Sequence, residues 1–179
     1  MILRRSYLFF LLICSSMHLQ AQWKHVQKVS VNFTIKNAGI MVDGSFAEAK
    51  ADILIDETDP SKSAFSGMVR VATIRTGITL RDNHLKDKPE FFNVKQYPDI
   101  TMKAVSIAKL SEGKYAVTWE LMMKGITKKI NTDVLFVKNS GYMMLSTDFK
   151  LKRRDWQIGS NSLTMSDWVN VSLRAVLDK

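Results

Sequence analysis

The sequence predicts an all-β fold, an antiparallel meander of eight strands that closes as a barrel or a sandwich. Three observations predict it. Apolar and polar residues alternate with a period of two through most of the chain. Short turns rich in Gly, Asn, Asp and Ser separate these runs at hairpin spacing. One stretch, residues 76–98, breaks the alternation and so marks a crossover.

Residues 1–21 are set apart first. Arg4 and Arg5 precede an unbroken apolar run over 7–13, and a more polar stretch leads to Ala21. This is the layout of a secretory signal peptide with Ala21 as the last residue removed. The run is shorter than the about 20 residues a spanning helix needs. Leu19 is bulkier than usual for its place before the cut, and Ile13 is too bulky to make Cys14 a lipid-modified terminus. The expected product is a single domain, residues 22–179, periplasmic or secreted. Cys14 is the only cysteine, so that domain has neither a disulfide nor a cysteine zinc site. Loss of Arg4 and Arg5 from 26 basic residues, set against 17 acidic ones, leaves it a net charge of +7.

The strands follow in order. Val29, Val31, Phe33 and Ile35 alternate with Ser30, Asn32, Thr34 and Lys36, and Asn37-Ala38-Gly39 turns the chain. Ile40, Val42, Gly44 and Phe46 share a face of the second strand. The phase then slips, and Ala47, Ala49, Ala51, Ile53 and Ile55 take the apolar positions. A one-residue slip in a continuing strand predicts a β-bulge, with Gly44 at the bend. Beyond the polar turn at 56–61, Phe65, Gly67, Val69 and Val71 form the third strand. Strands over 100–109, 115–124, 127–138, 142–151 and 168–177 complete the set. Residues 76–98, between the third and fourth, read as one or two short helices covering a barrel end.

Tests for catalysis are negative. Only His25 and His84 lie beyond the leader, no G-x-S-x-G turn occurs, and the two histidines have no metal-ligand spacing. Residues 39–45 imitate a phosphate loop, but Ser45 stands where a lysine is required. No cofactor motif is present. The lysines and arginines alternate on strands or gather at their ends, without the interleaved aromatics of a nucleic-acid surface. They suit a solvated outer face, or attraction to an anionic membrane surface.

An eight-stranded barrel is either filled by side chains or holds one small ligand. Gly44, Ala47, Ala49, Ala51, Gly67 and Ala104 lack bulk where Phe33, Phe46, Trp119 and Phe149 would form walls. This pattern fits a ligand space, and it fits the taper of a dry core. Eight methionines outside the leader suit either use.

Particular residues narrow the choice. Thr76-Gly77, Arg81-Asp82-Asn83-His84-Leu85, Phe91-Phe92-Asn93-Val94 and Tyr97-Pro98 together resemble the signature of the YceI-like family of exported bacterial proteins. Residues 42–46, 121–128 (LMMKGITK), 154–159 (RDWQIG) and Asp167-Trp168-Val169 resemble further segments of that family. Asn37, where many members have histidine, and Trp156, where Phe is commoner, depart from it. The resemblance implies a lipocalin-like barrel whose apolar pocket holds a polyisoprenoid chain or an isoprenoid quinone, without catalysis. With strand phase, it suggests Phe33, Ile35, Ile40, Phe46, Val69, Val71, Phe91, Phe92, Trp119, Leu121 and Phe149 as pocket residues. It also suggests Arg81 and His84 as headgroup contacts, although Arg81 pairing with Asp82 to fix the crossover is an equal reading. Monomer and dimer remain open.

Overall fold

The alternating runs become antiparallel strands, and all of them join one sheet. The computed structural model describes residues 22–178, so the expected signal peptide lies outside the described residues. The strands are β1 (Gln22–Lys24), β2 (Val26–Asn37), β3 (Ile40–Phe46), β4 (Ala49–Ile55), β5 (Ala64–Arg70), β6 (Ile74–Arg75), β7 (Asp99–Ser111), β8 (Lys114–Met123), β9 (Ile126–Lys138), β10 (Tyr142–Lys152) and β11 (Met165–Asp178). The helix α1 (Thr79–Asp87) lies between β6 and β7. The sheet runs in the order β1-β4-β5-β7-β8-β9-β10-β11-β2-β3-β6.

Eleven strands thus replace the expected eight. Among the described residues one expected run, 40–55, is divided, and β1 and β6 are added. Residues 22–37 break at His25: β1 pairs with β4, whereas β2 pairs with β11 and β3. Residues 40–55 break at Ala47-Glu48, where β3 stays with β2 and β4 joins β5. The phase slip is therefore a change of partner and not a bulge. Backbone groups freed there are paired with the 3-10 turn Val71–Thr73 and the residue before it. Ala47 N donates to Thr73 O (3.2 Å), Glu48 N to Thr73 Oγ1 (3.1 Å) and Arg70 N to Glu48 O (3.0 Å). Left unpaired in the wall, each group would carry a desolvation cost.

These two breaks curl the sheet. Residues 22–37 are one covalent run, held by β4 at its start and by β11 and β3 along its body. The sheet must therefore wrap round into a barrel-like wall. Parting β3 from β5 leaves a seam, which β6, α1 and the crossover after α1 fill. Val71 N on Pro98 O (2.9 Å), Phe92 N on Leu85 O (3.1 Å) and Val94 N on Lys86 O (2.8 Å) stitch this filling together.

The end carrying the β7–β8 and β9–β10 turns is packed solid. Val134, Ala175 and Leu177 have no solvent exposure there. Tyr115, Phe136, Phe65 and Trp119 form a ring chain with centroids 5.2, 5.6 and 6.2 Å apart. Such aromatic contacts add to simple burial. Trp119 satisfies its buried N–H on Thr132 Oγ1 at 2.9 Å.

At mid-height Phe33 lies opposite Gly44 and its ring covers that glycine. A Cβ at position 44 would fall 2.1 Å from Phe33 Cζ. Gly44→Ala is expected to push the ring aside and destabilise the protein by about 1–3 kcal/mol, read as a lower urea midpoint. An unchanged midpoint would show that Phe33 repacks without strain.

Candidate functional site: an apolar cavity above the packed end

Above the packed half the inward side chains no longer meet, and a cavity of about 220 Å³ remains. Ala51, Gly67 and Met102 stand side by side across β4, β5 and β7, so two of three neighbouring positions contribute little or no bulk. Opposite them β11 supplies Val169, Val171 and Leu173. Phe33, Phe46 and Phe92 form an aromatic corner, with centroids 5.8 and 6.4 Å apart. The cavity extends toward the end that carries the β2–β3 turn, the β8–β9 turn and α1.

Of the expected pocket residues, Phe33, Ile35, Phe46, Val69, Phe91, Phe92, Trp119, Leu121 and Phe149 stand on the wall, as does Arg81. Ile40, Val71 and His84 do not. Ile40 has the right phase but lies beyond the wall at the hairpin tip, 69% exposed. Val71 falls after β5 ends, and the 3-10 turn rotates it into packing beneath the strand break, 1% exposed. On α1 the inward positions are Arg81 and Leu85, one turn apart, which leaves His84 on an exposed flank. The small residues divide likewise. Gly67 and Ala51 face the cavity, Gly44 is covered by Phe33, and Ala47 is exposed.

Few polar residues line the cavity: Asn37, Thr76, Arg81 and Arg153 stand near the mouth, while Lys50 and Ser66 are strand neighbours of the inward Ala51 and Gly67 and border it by their backbone. Arg81 and Asp82 do not form an ion pair; they meet on Thr76. The Arg81 guanidinium donates to Thr76 Oγ1 (2.6 Å) and to the Thr76 carbonyl. Asp82 Oδ1 accepts from the Thr76 backbone N–H (2.8 Å) and hydroxyl (2.5 Å). This fixes the loop before α1 and leaves Arg81 Nη1 without a hydrogen-bond partner among the described residues. α1 itself is lightly held: it buries no residue fully and has no side-chain cap at its amino end.

Arg153 carries the opposite side of the mouth, and strand phase alone did not find it. It is 3% exposed and spends all five N–H donors. They go to the carbonyls of Ser166 (2.9 Å), Ile158 (2.8 Å), Ser160 (3.0 Å) and Met165 (3.3 Å), and to Asp167 Oδ1 (3.3 Å). Burial lowers its pKa, and Asp167 opposes that shift. The hydrogen bond from Arg154, helped by the charges of Arg154, Arg153 and Lys152, holds the Asp167 carboxyl below its ordinary 3.8.

The segments that looked most distinctive form a collar around this end. Lys124 and Gly125 both have positive φ, 50° and 74°, and Tyr97 packs where a Cβ on Gly125 would lie. Lys124 Nζ reaches Gln157 O (2.8 Å), Trp156 Nε1 reaches Leu121 O (3.2 Å) and Gly159 N reaches Glu90 O (2.6 Å). At Gly159 (φ 69°) a Cβ would meet Arg153 Nη1 at 2.7 Å and Phe91 Cε1 at 3.1 Å. Among the described residues no three His, Cys, Asp or Glu side chains gather as a metal site.

A family model for the YceI-like domain matches residues 23–177. A UPF0312 protein of Photorhabdus laumondii is 29% identical over 124 residues, 67% of this chain and 64% of that protein. Protein YceI of Escherichia coli is 25% identical over 145 residues, 75% of this chain and 73% of that protein. The matches cover 64%, 57% and 59% of three curated relatives, so the chain spans under two thirds of their length. Burkholderia cenocepacia BcnA superposes with a TM-score of 0.78 at 20% identity, covering 83% of this chain and 95% of that one. A polyisoprenoid binding domain from Saccharophagus degradans superposes with a TM-score of 0.67 at 14% identity, covering 89% and 99%. At these identities the solved structures share the fold.

The clamp on Arg153 makes a pH prediction. Asp167 has a depressed folded pKa, so its contribution is complete above 3.8 and is lost as pH falls through the lower folded value. Asp167→Asn should lower the urea midpoint at neutral pH, and the gap from the parent should close on the acid side of 3.8. A gap that persists in strong acid would show that the carboxylate charge is not what holds the clamp.

Proposed function

This chain belongs to the YceI-like family, and on that premise we propose that it is an exported, non-catalytic protein that carries or sequesters an isoprenoid-type lipid, either a polyprenyl chain or an isoprenoid quinone. The observation that carries this reading is the cavity, whose wall is aliphatic and aromatic except at its rim. The polar side chains on that wall include no histidine and no carboxylate, which suits holding a ligand rather than moving its protons. The polyisoprenoid binding domain from Saccharophagus degradans shares the fold, which supports the choice of ligand class. The rival reading, a solid barrel acting through its basic surface, does not account for a cavity of this size.

About 220 Å³ is less than the 300–1,000 Å³ typical of pockets that bury a drug-sized molecule. A long prenyl tail must therefore widen the barrel or leave part of itself outside. Met102, Met123 and Met165 stand on the wall and can change rotamer to follow such a guest. At about 0.3 kcal/mol per heavy atom, a held length of roughly 20 carbons gains about 6 kcal/mol, or tens of micromolar. Chain length sets most of that affinity, while the free Nη1 of Arg81 meets the oxygen of a phosphate or quinone head.

Ala49 is not on the wall, so Gly67 is the position at which to fill the cavity. A Cβ there meets nothing closer than Lys50 O at 3.5 Å, so a larger group is tolerated at its base and projects inward. Organic extraction of purified protein followed by mass spectrometry should yield an isoprenoid, and Gly67→Phe should retain several-fold less. No isoprenoid in the parent protein, or equal content in the variant, would refute the assignment. Arg81→Gln should weaken binding of a phosphorylated or quinone ligand but not of a bare prenyl alkane, and His84→Ala should change neither.

A further inference from the structure

The mouth of the cavity is bordered by apolar side chains that a storage protein would have no reason to expose. We propose that this rim docks on an anionic bilayer, with Ile40, Met41, Ile78, Leu80, Leu163 and Trp168 entering the headgroup region while Lys36 and Lys152 meet lipid phosphates. Its purpose rests on the carrier reading, since a lipid could then pass between bilayer and cavity without crossing water; its geometry does not.

Topology brings these residues to one end. Ala38 N donates to Thr164 O (2.9 Å), and Asn37 pairs with Met165, so the β2–β3 turn and the loop before β11 move as one unit. β6 runs antiparallel to β3, with Phe46 opposite Ile74 and Ser45 opposite Arg75. The chain leaving Arg75 therefore heads toward Ile40 and brings Ile78 and Leu80 to the same end. Neighbours of every tip (Asn37, Val42, Thr76, Arg81 and Met165) line the cavity. The rim thus borders the mouth on the sides formed by the β2–β3 turn, the loop before β11 and α1.

Isolated apolar residues on a surface are ordinary, but a contiguous group is not. Leu163 is wholly exposed, Ile40 is 69% exposed and Leu80 66%. Six of the seven most exposed large apolar side chains among the described residues lie on this rim, and the seventh, Leu110, lies at the β7–β8 turn.

Charge identifies the partner. Met41 sits opposite Lys36 across β2 and β3, Lys36 and Trp168 share a surface hollow, and Trp168 sits opposite Lys152 on β10. Lys152 Nζ lies 4.9 Å from the Trp168 ring centre. Neither lysine is in ion-pair contact with a carboxylate among the described residues, and Asp167, which feels the Lys152 charge, is bonded to Arg153 and Arg154. A half-exposed tryptophan flanked by free lysines beside projecting aliphatic tips is the chemistry of a bilayer interface with anionic headgroups. A protein groove would match the tips but would leave the two lysines without a required anion.

The test uses protein purified after expression of the full chain, floated with vesicles of phosphatidylcholine alone or mixed equally with phosphatidylglycerol. Binding should favour the anionic vesicles and fall steeply with salt. Leu163→Ser with Leu80→Ser should weaken it by about tenfold or more on both vesicles. Lys36→Gln and Lys152→Gln should each cost about fivefold, on the anionic vesicles only. None of these four residues lies on the cavity wall or is buried, so a urea midpoint equal to the parent's is expected and controls for folding. No flotation of the parent protein, flotation unaffected by the leucine pair, or a concentration-dependent dimer abolished by that pair without any vesicle binding would overturn the proposal. Normal flotation of a protein that yields no isoprenoid would overturn the carrier reading and leave the docking rim standing.

Discussion

The parting of β3 from β5 at Ala47-Glu48 governs the rest of the molecule. A sheet that paired continuously through residues 40–55 would close tightly and bring its inward side chains together. Because the run changes partner, β3 follows β2 and β4 follows β5, and the wall gains both curvature and a seam. The seam is filled by the short strand β6, by α1 and by the crossover after it. The break itself is tolerable because Thr73 and Arg70 pair the backbone groups it frees.

The same parting divides labour along the barrel. The closed end is stabilised by aromatic stacking and full burial, so it can hold the strands in register without help from a guest. The open end is held by hydrogen bonds that run around the mouth rather than across it. Arg153 is the clearest case: five donors meet four carbonyls and one carboxylate on the loop before β11 and the start of that strand. Burying an arginine is unfavourable unless every donor is matched, and here every donor is. A rigid mouth is obtained without filling the space inside it.

Much of this was legible in the sequence. Period-two alternation located every long strand, because a residue that faces a core must recur every second position. Nine of the eleven expected pocket residues reached the wall for that reason. Ile40 and Val71 failed because phase says which way a side chain points and nothing of where the strand stops. The count of eight failed for a related cause, since a change of partner and a bulge shift the phase identically. The β11 face, Val169, Val171 and Leu173, carried the same alternation and could have been included. Arg153 and the Thr76 bridge between Arg81 and Asp82 had no periodic signal; only the three-dimensional meeting of loops creates them. The segments resembling the YceI-like family proved to be mostly collar, so they report how the mouth is built.

The light attachment of α1 has a further thermodynamic consequence. Displacing it breaks no ladder of strand hydrogen bonds and exposes no fully buried side chain of its own; it costs the bonds of Arg81 and Asp82 to Thr76 and those from Phe92 and Val94, so local opening there takes less free energy than unfolding the domain. The enclosure therefore has one compliant panel in an otherwise stiff shell. Guests of differing girth can be accommodated at that panel alone, and the woven part of the structure need not distinguish between them.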